Sequence, residues 1–135
     1  MRVRMRLVPL LSMLVCVGCG GCGGKSTDQL IEELKSPQDR EQTVAVRLLP
    51  RRKGDAAKVI PALIEALKSK DEGIRQGAAI GLGSFGEQAK DAISALEAVQ
   101  HDPDVRVREA VGVALSRIDP TAFPNPSQAR PAPGK

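Results

Sequence analysis

A unit of 33 residues recurs along this chain without a gap, and no other feature constrains the fold as tightly. Ala45-Val46-Arg47-Leu48-Leu49 lies over Ala78-Ala79-Ile80-Gly81-Leu82, and that string lies over Val111-Gly112-Val113-Ala114-Leu115. Apolar columns result: Ala45, Ala78 and Val111; Leu49, Leu82 and Leu115; Leu30, Leu63 and Leu96; and Ile60 over Ile93. A unit this short, with helical spacing of its apolar residues, cannot bury its core alone and must stack on its neighbours. The register therefore predicts an all-α, short right-handed α-solenoid of about three stacked helix pairs. It also moves the functional question from a catalyst to a surface.

Amphipathic stretches and breaks divide the repeats into six predicted helices, at about 27–35, 38–49, 55–68, 71–85, 88–100 and 103–118. Ser26 or Thr27 caps the first, with Gln29 completing a capping box, and Ser36-Pro37 ends it. Val44, Ala45, Leu48 and Leu49 are read as the inward side of the second helix, and Val59, Ile60, Leu63, Ile64 and Leu67 of the third. Pro61 within that third stretch predicts an irregular first turn or a start nearer Ile60. Ile74, Ala78, Leu82 and Phe85 line the fourth helix; Ala92, Ile93, Leu96 and Val99 the fifth. For the sixth, Asp102 is expected as the cap and Pro103 at the first helical position. Asp71 and Asp104 lie at helix starts, with Arg75 and Arg108 at i+4, so each arginine is expected to pair back onto its own aspartate.

The strings Ile60-Pro61-Ala62-Leu63-Ile64-Glu65-Ala66-Leu67 and Asp71-x-x-Ile74-Arg75-x-x-Ala78-Ala79-x-Gly81-Leu82-Gly83 resemble the HEAT-like repeat family, in its bacterial form known as the PBS-lyase HEAT-like repeat. Asp104-x-x-Val107-Arg108-x-x-Val111, with Ala114-Leu115, supplies the next copy. The first copy departs from the pattern with Gln38 and Gln42 in place of the Asp and Arg, and Ser94 stands where the second copy has Pro61. The resemblance implies a protein-interaction stack in which Asp71, Arg75, Leu82, Asp104, Arg108 and Leu115 are structural. It further implies that the Asp and Arg positions help bind one repeat to the next.

The formal charge of +4 suggests nucleic acid, yet Arg2, Arg4 and Arg6 sit ahead of an apolar run. Without that leader, 17 Lys and Arg face 16 Asp and Glu. So neutral a domain lacks the electrostatic footprint of a phosphate-backbone binder, and no nucleic-acid partner is expected.

Residues 1–18 have the three-part build of a secretory signal peptide: arginines, an apolar stretch at 7–17, then small residues. The stretch is shorter than the ~20 residues that span a bilayer. Its end, Cys16-Val17-Gly18-Cys19, resembles the lipobox of bacterial lipoproteins, which implies lipid attachment at Cys19, with Cys22 as the second candidate. A diacylglyceryl group and an acyl chain, at ~0.8 kcal/mol per buried CH₂, would anchor the chain to a membrane. Residues 19–25 then form a Gly-rich tether, 26–118 the repeat domain and 119–135 a Pro-rich tail expected to be extended or disordered. Gly20, where an Asp would favour the inner membrane in some bacteria, points to the outer one.

Four further strings look chemical. Cys16, Cys19 and Cys22 lack the fourth ligand that a zinc site needs, the only histidine being the distant His101, so no metal site is expected. Gly81-Leu82-Gly83-Ser84-Phe85-Gly86 spells G-x-G-x-x-G but closes a helix, whereas a dinucleotide site needs it after a strand. Gly81 and Gly83 are read as close-packing positions and Gly86 as a left-handed helix end. His101 has no nucleophile beside it and reads as a loop residue. Arg47, Arg51, Arg52 and Lys53 form the one dense basic patch: a solvated loop, or a contact for anionic lipid or an acidic partner.

The leading expectation is a lipid-anchored protein of the bacterial cell envelope that binds a protein partner and has no catalytic activity or cofactor. A bilin lyase-like or chaperone-like enzyme, and a structural component that self-associates through its solenoid ends, remain as alternatives.

Overall fold

The computed structural model describes residues 24–125. The expected signal peptide at 1–18, the lipid-attachment candidates Cys19 and Cys22, and residues 126–135 lie outside the described residues. Among the described residues six α-helices follow one another: α1 (Thr27–Leu34), α2 (Asp39–Leu48), α3 (Ala56–Ala66), α4 (Glu72–Phe85), α5 (Ile93–Ala98) and α6 (Val105–Ile118). No strand occurs among the described residues. The helices form three pairs, α1/α2, α3/α4 and α5/α6, stacked side by side as a short solenoid. The second helices α2, α4 and α6 make one layer and the first helices the other, with α4 meeting α6 along most of its length.

The repeat columns are the core. Leu30, Leu63 and Leu96, with Ala45, Ala78 and Val111, are fully buried, and so are Leu49, Leu82 and Leu115 to within 1%. Ile60 is buried while its counterpart Ile93 is half-buried against the same core. One inward assignment fails: Val44 is 44% exposed, and the buried valine of α2 is Val46. The helix turns 100° per residue, and Val46 is the side that meets α4 through Gly77.

Capping follows the sequence with one displacement. Ser26 and Gln29 form a full capping box, Gln29 N–H donating to Ser26 Oγ at 3.2 Å and Ser26 N–H to Gln29 Oε1 at 2.8 Å. Asp71 accepts from the Ile74 N–H at 2.9 Å. For α6 the cap is Asp104, accepting from the N–H groups of Arg106 at 2.8 Å and Val107 at 3.3 Å, and not Asp102. Pro103 accordingly lies outside the helix.

Two segments differ from the expected helices. Pro61 lies in the middle of α3, which starts at Ala56 after the 3₁₀ turn Lys53–Asp55. The irregular turn is there, but the helix runs through the proline and forgoes one hydrogen bond. The fifth predicted helix is α only over Ile93–Ala98, because Gly86–Ala92 is a 3₁₀ run kinked at Ala89 (φ −96°, ψ 22°). Gly86 takes φ +56°, as a helix-ending glycine should, but its ψ of −135° lies away from the left-handed helical region.

After α6 the chain turns instead of extending. The Asp119 carboxylate accepts from the N–H groups of Thr121 and Ala122 at 3.1 and 3.0 Å, and Phe123 packs against the core. The expectation of an extended tail therefore fails for its first residues, where an Asx turn satisfies the backbone after Ile118.

Candidate interaction face

Columns of the 33-residue register other than the apolar ones point outward from α2, α4 and α6. Arg47, Ile80 and Val113 form one; Arg51, Ser84 and Arg117 the next; Thr43, Gln76 and Glu109 a third. Ile80 is 52% exposed and Val113 44%, unusual for large aliphatic side chains in a domain with so complete a core. Both sit in grooves. Between α2 and α4 a groove of about 720 Å³ is edged by Arg47, Arg51, Lys53 and Arg106, with Ile80 on its wall. Between α4 and α6 a smaller one of about 340 Å³ holds Ile80, Val113, Glu109 and Arg117. The resulting face carries aliphatic side chains down its middle and guanidinium groups along its edges.

The structure divides the basic patch read from sequence. Arg47 and Arg51 stand one turn apart on the groove and make no ion pair among the described residues. Arg52 turns away, its Nη2 donating to the Lys25 carbonyl at 2.7 Å. Lys53 is held on α4: its Nζ donates to Ser84 Oγ at 2.8 Å and lies 4.1 Å from the Phe85 ring centroid. Partial burial there pushes its pKa below the usual lysine value. Arg106, unremarked in the sequence, joins the face from α6 and is partly balanced by Asp104 at 3.3 Å and Glu72 at 3.8 Å. Reading the register down its polar columns as well as its apolar ones would have found Arg106 and Arg117, which repeat the places of Arg40 and Arg51.

The repeated Asp and Arg positions make contacts that tie helix starts, turns and repeats together, but not by the pairing expected. Arg75 does not turn back to Asp71; it crosses to the next repeat, with Nε 2.7 Å from Asp102 Oδ2 and Nη2 3.0 Å from Oδ1. Its remaining Nη1 donates to the carbonyls of Ser69 and Lys70, both at 2.9 Å. Arg108 repeats the second half of this arrangement on the carbonyls of Asp102 and Pro103, at 2.8 and 3.1 Å, and Gln42 does the same with the Ser36 carbonyl at 2.6 Å. Geometry explains the choice: Asp71 and Asp104 are engaged with backbone N–H groups of their own first turns. The Arg75 guanidinium, with help from the Asp104 N–H, holds the Asp102 carboxyl below the usual carboxylate range. The same pairing raises Arg75.

Gly81 and Gly83 are packing positions. A Cβ on Gly83 would lie 2.8 Å from the Ala114 Cα, and one on Gly81 2.8 Å from Pro50 Cγ. Leu82 and Leu115, the central leucines, are buried, and His101 sits exposed in a turn.

A third hollow, about 490 Å³, opens on the layer of first helices between α1 and α3, lined by Ile31, Leu34, Pro61 and Ile74. Lys35, Gln42, Lys58, Glu65, Lys68 and Ser69 add polar groups to its lining, with Lys68 Nζ paired to Glu65 at 2.9 Å. Among the described residues no three His, Cys, Asp or Glu side chains are grouped as metal ligands. No helix among them is long and apolar enough to cross a membrane.

No curated protein matches this chain. The family model for HEAT repeats matches residues 27–119, the whole of the three helix pairs. With the pairs stacked as described and the register filled position by position, the chain belongs to the HEAT-repeat family.

Proposed function

We propose that this protein is a lipid-anchored module of the bacterial cell envelope that binds another protein through the face of α2, α4 and α6 and carries no catalytic activity of its own. HEAT repeats generally mediate protein–protein interaction, and the leader ending in Cys19 supports export and lipid attachment. The observation that carries the reading is the exposure of Ile80 and Val113 in one repeat column, with Arg47, Arg51, Arg106 and Arg117 beside them. Aliphatic centres with guanidinium rims suit a partner segment whose apolar side chains enter the grooves while its carboxylates meet the arginines. Arginine is favoured for such rims because it binds carboxylates in a bidentate, weakly hydrated way.

Two measurements test this. Mass spectrometry of the mature protein should find a lipid-modified Cys19, and an unmodified, water-soluble N-terminus would remove the anchor. In detergent-solubilised envelopes, the wild-type protein should retain a defined partner that Ile80→Asp and Val113→Asp variants release. Retention by both folded variants would move the binding site elsewhere.

A further inference from the structure

The two ends of the stack are complementary, and the complementarity follows from contacts already present inside it. Where one second helix, or the turn that follows it, packs on the next, close contacts join a residue to the one 31 positions later: Val46 to Gly77, Pro50 to Gly81 and Gly83 to Ala114. Val46 is thereby 2% exposed and its repeat equivalent Ala79 fully buried. The third member of that column, Gly112, is exposed on α6, and a Cβ built on it meets nothing within 4 Å among the described residues. The stack thus ends on a site that its own packing rule fills in both earlier repeats. Beside it on α6, Val105 is 52% exposed at a position occupied by Asp39 and Glu72 in the earlier repeats.

Continuing the rule by one more repeat identifies what would fit. The residue 31 positions beyond Gly112 would be the next member of the column Val44, Gly77, Ala110, so in a second copy stacked in register it is Val44. Val44 is the one large aliphatic residue exposed on the N-terminal side of α2, at 44%. The pair would be a valine over a glycine, the combination that joins α2 to α4 at Val46 and Gly77, where valine Cγ1 lies 3.0 Å from the glycine's Cβ position. By the same step Ser116 meets Leu48, a half-buried leucine on the same side of α2.

We infer that the α6 end of one molecule accepts the α2 end of a second copy, Val44 seating at Gly112, so that molecules add head to tail and extend the solenoid. This inference does not depend on the partner-binding face, which stays open along the side of such an array. A head-to-tail contact does not close on itself, so assembly proceeds beyond a dimer.

Sedimentation velocity of the full chain in mild detergent, over a concentration series, tests it. The wild type should pass through monomer, dimer and larger species as concentration rises. Gly112→Arg and Val44→Asp should each remain monomeric while keeping the wild-type helical circular dichroism, because both sites are exposed, and Gly112→Arg should melt no lower than the parent since it removes a mid-helix glycine. Each variant retains one intact end, so an equimolar mixture should form a dimer and nothing larger. A wild type that stays monomeric, or stops at a dimer, overturns the inference. So does either variant assembling like the wild type, or a mixture that yields no dimer.

Discussion

Arg75 and Asp102, 27 residues apart, form a two-pronged ion pair across the joint between the second and third repeats, with side chains only 13% and 5% exposed. Neither is simply a surface charge. The arginine also ties down the turn before its own helix, and the aspartate accepts the Asp104 N–H at 2.9 Å. Replacing Asp102 by Ala leaves a largely buried guanidinium without its acceptor. The expected loss is about 1.5–3 kcal/mol, the range for hydrogen bonds to charged groups. In a double-mutant cycle measured by urea unfolding, Asp102→Ala and Arg75→Ala should be strongly non-additive, with the second substitution costing far less than the first. Simple additivity would show that the two side chains act independently.

The same pair sets an acid limit on the fold. Asp102 titrates below its unfolded value because Arg75 favours its charged form. The pair's stabilisation is therefore complete above the unfolded carboxylate pKa of about 3.9, and disappears as pH falls through the lower folded value. Melting temperature should drop below about pH 4, and the drop should be shallower in Asp102→Asn. An identical acid profile for that variant would assign the effect to other carboxylates.

Leu82 lies at the centre of the middle repeat and is fully buried. Truncation to Ala should cost ~2–5 kcal/mol by cavity formation. Against a typical total of 5–15 kcal/mol, chemical denaturation should show a large loss or an unfolded chain. Ile80→Ala, on an exposed position of the same helix, should change stability little. Similar losses at both positions would contradict the inward and outward assignments.

Gly86 alone among the described glycines has positive φ, at +56°. Substituting Ala there forces a side chain into a strained backbone region and should lower stability by roughly 1–2 kcal/mol. Gly54→Ala, in open space and without positive φ, is the control and should be close to neutral or slightly stabilising. Thermal melts of the two variants compare them directly.

Much of this architecture was legible because stacked repeats write their core into the chain at a fixed interval. Leu30, Leu63 and Leu96 needed no more than counting to be placed together. The failures lie where the interval is silent. Whether Val44 or Val46 faces inward depends on where the next helix sits, and that is set by the room left at Gly77. The kinked 3₁₀ run at Gly86–Ala92 keeps alanines buried at Ala89 and Ala92, so its composition mimics an ordinary helix. Asp102 passed for a helix cap because its proper role is contact with a residue one repeat away. The candidate face was half visible: the local cluster at Arg47 and Arg51 stood out, but Ile80, Arg106 and Arg117 enter it only once three helices lie side by side.

The close approach of Gly83 to Ala114 has a mechanical corollary. Backbone nearly touching backbone leaves no side-chain layer to shear, so α4 and α6 should move as one stiff plate. Between α2 and α4, by contrast, side chains of Val46 and Pro50 act as spacers, and the wider groove lies above them. Of these two joints the one flanked by Arg47 and Arg51, packed through side chains, should be the softer. A partner segment seated there, as proposed above, would meet the more yielding wall of the layer.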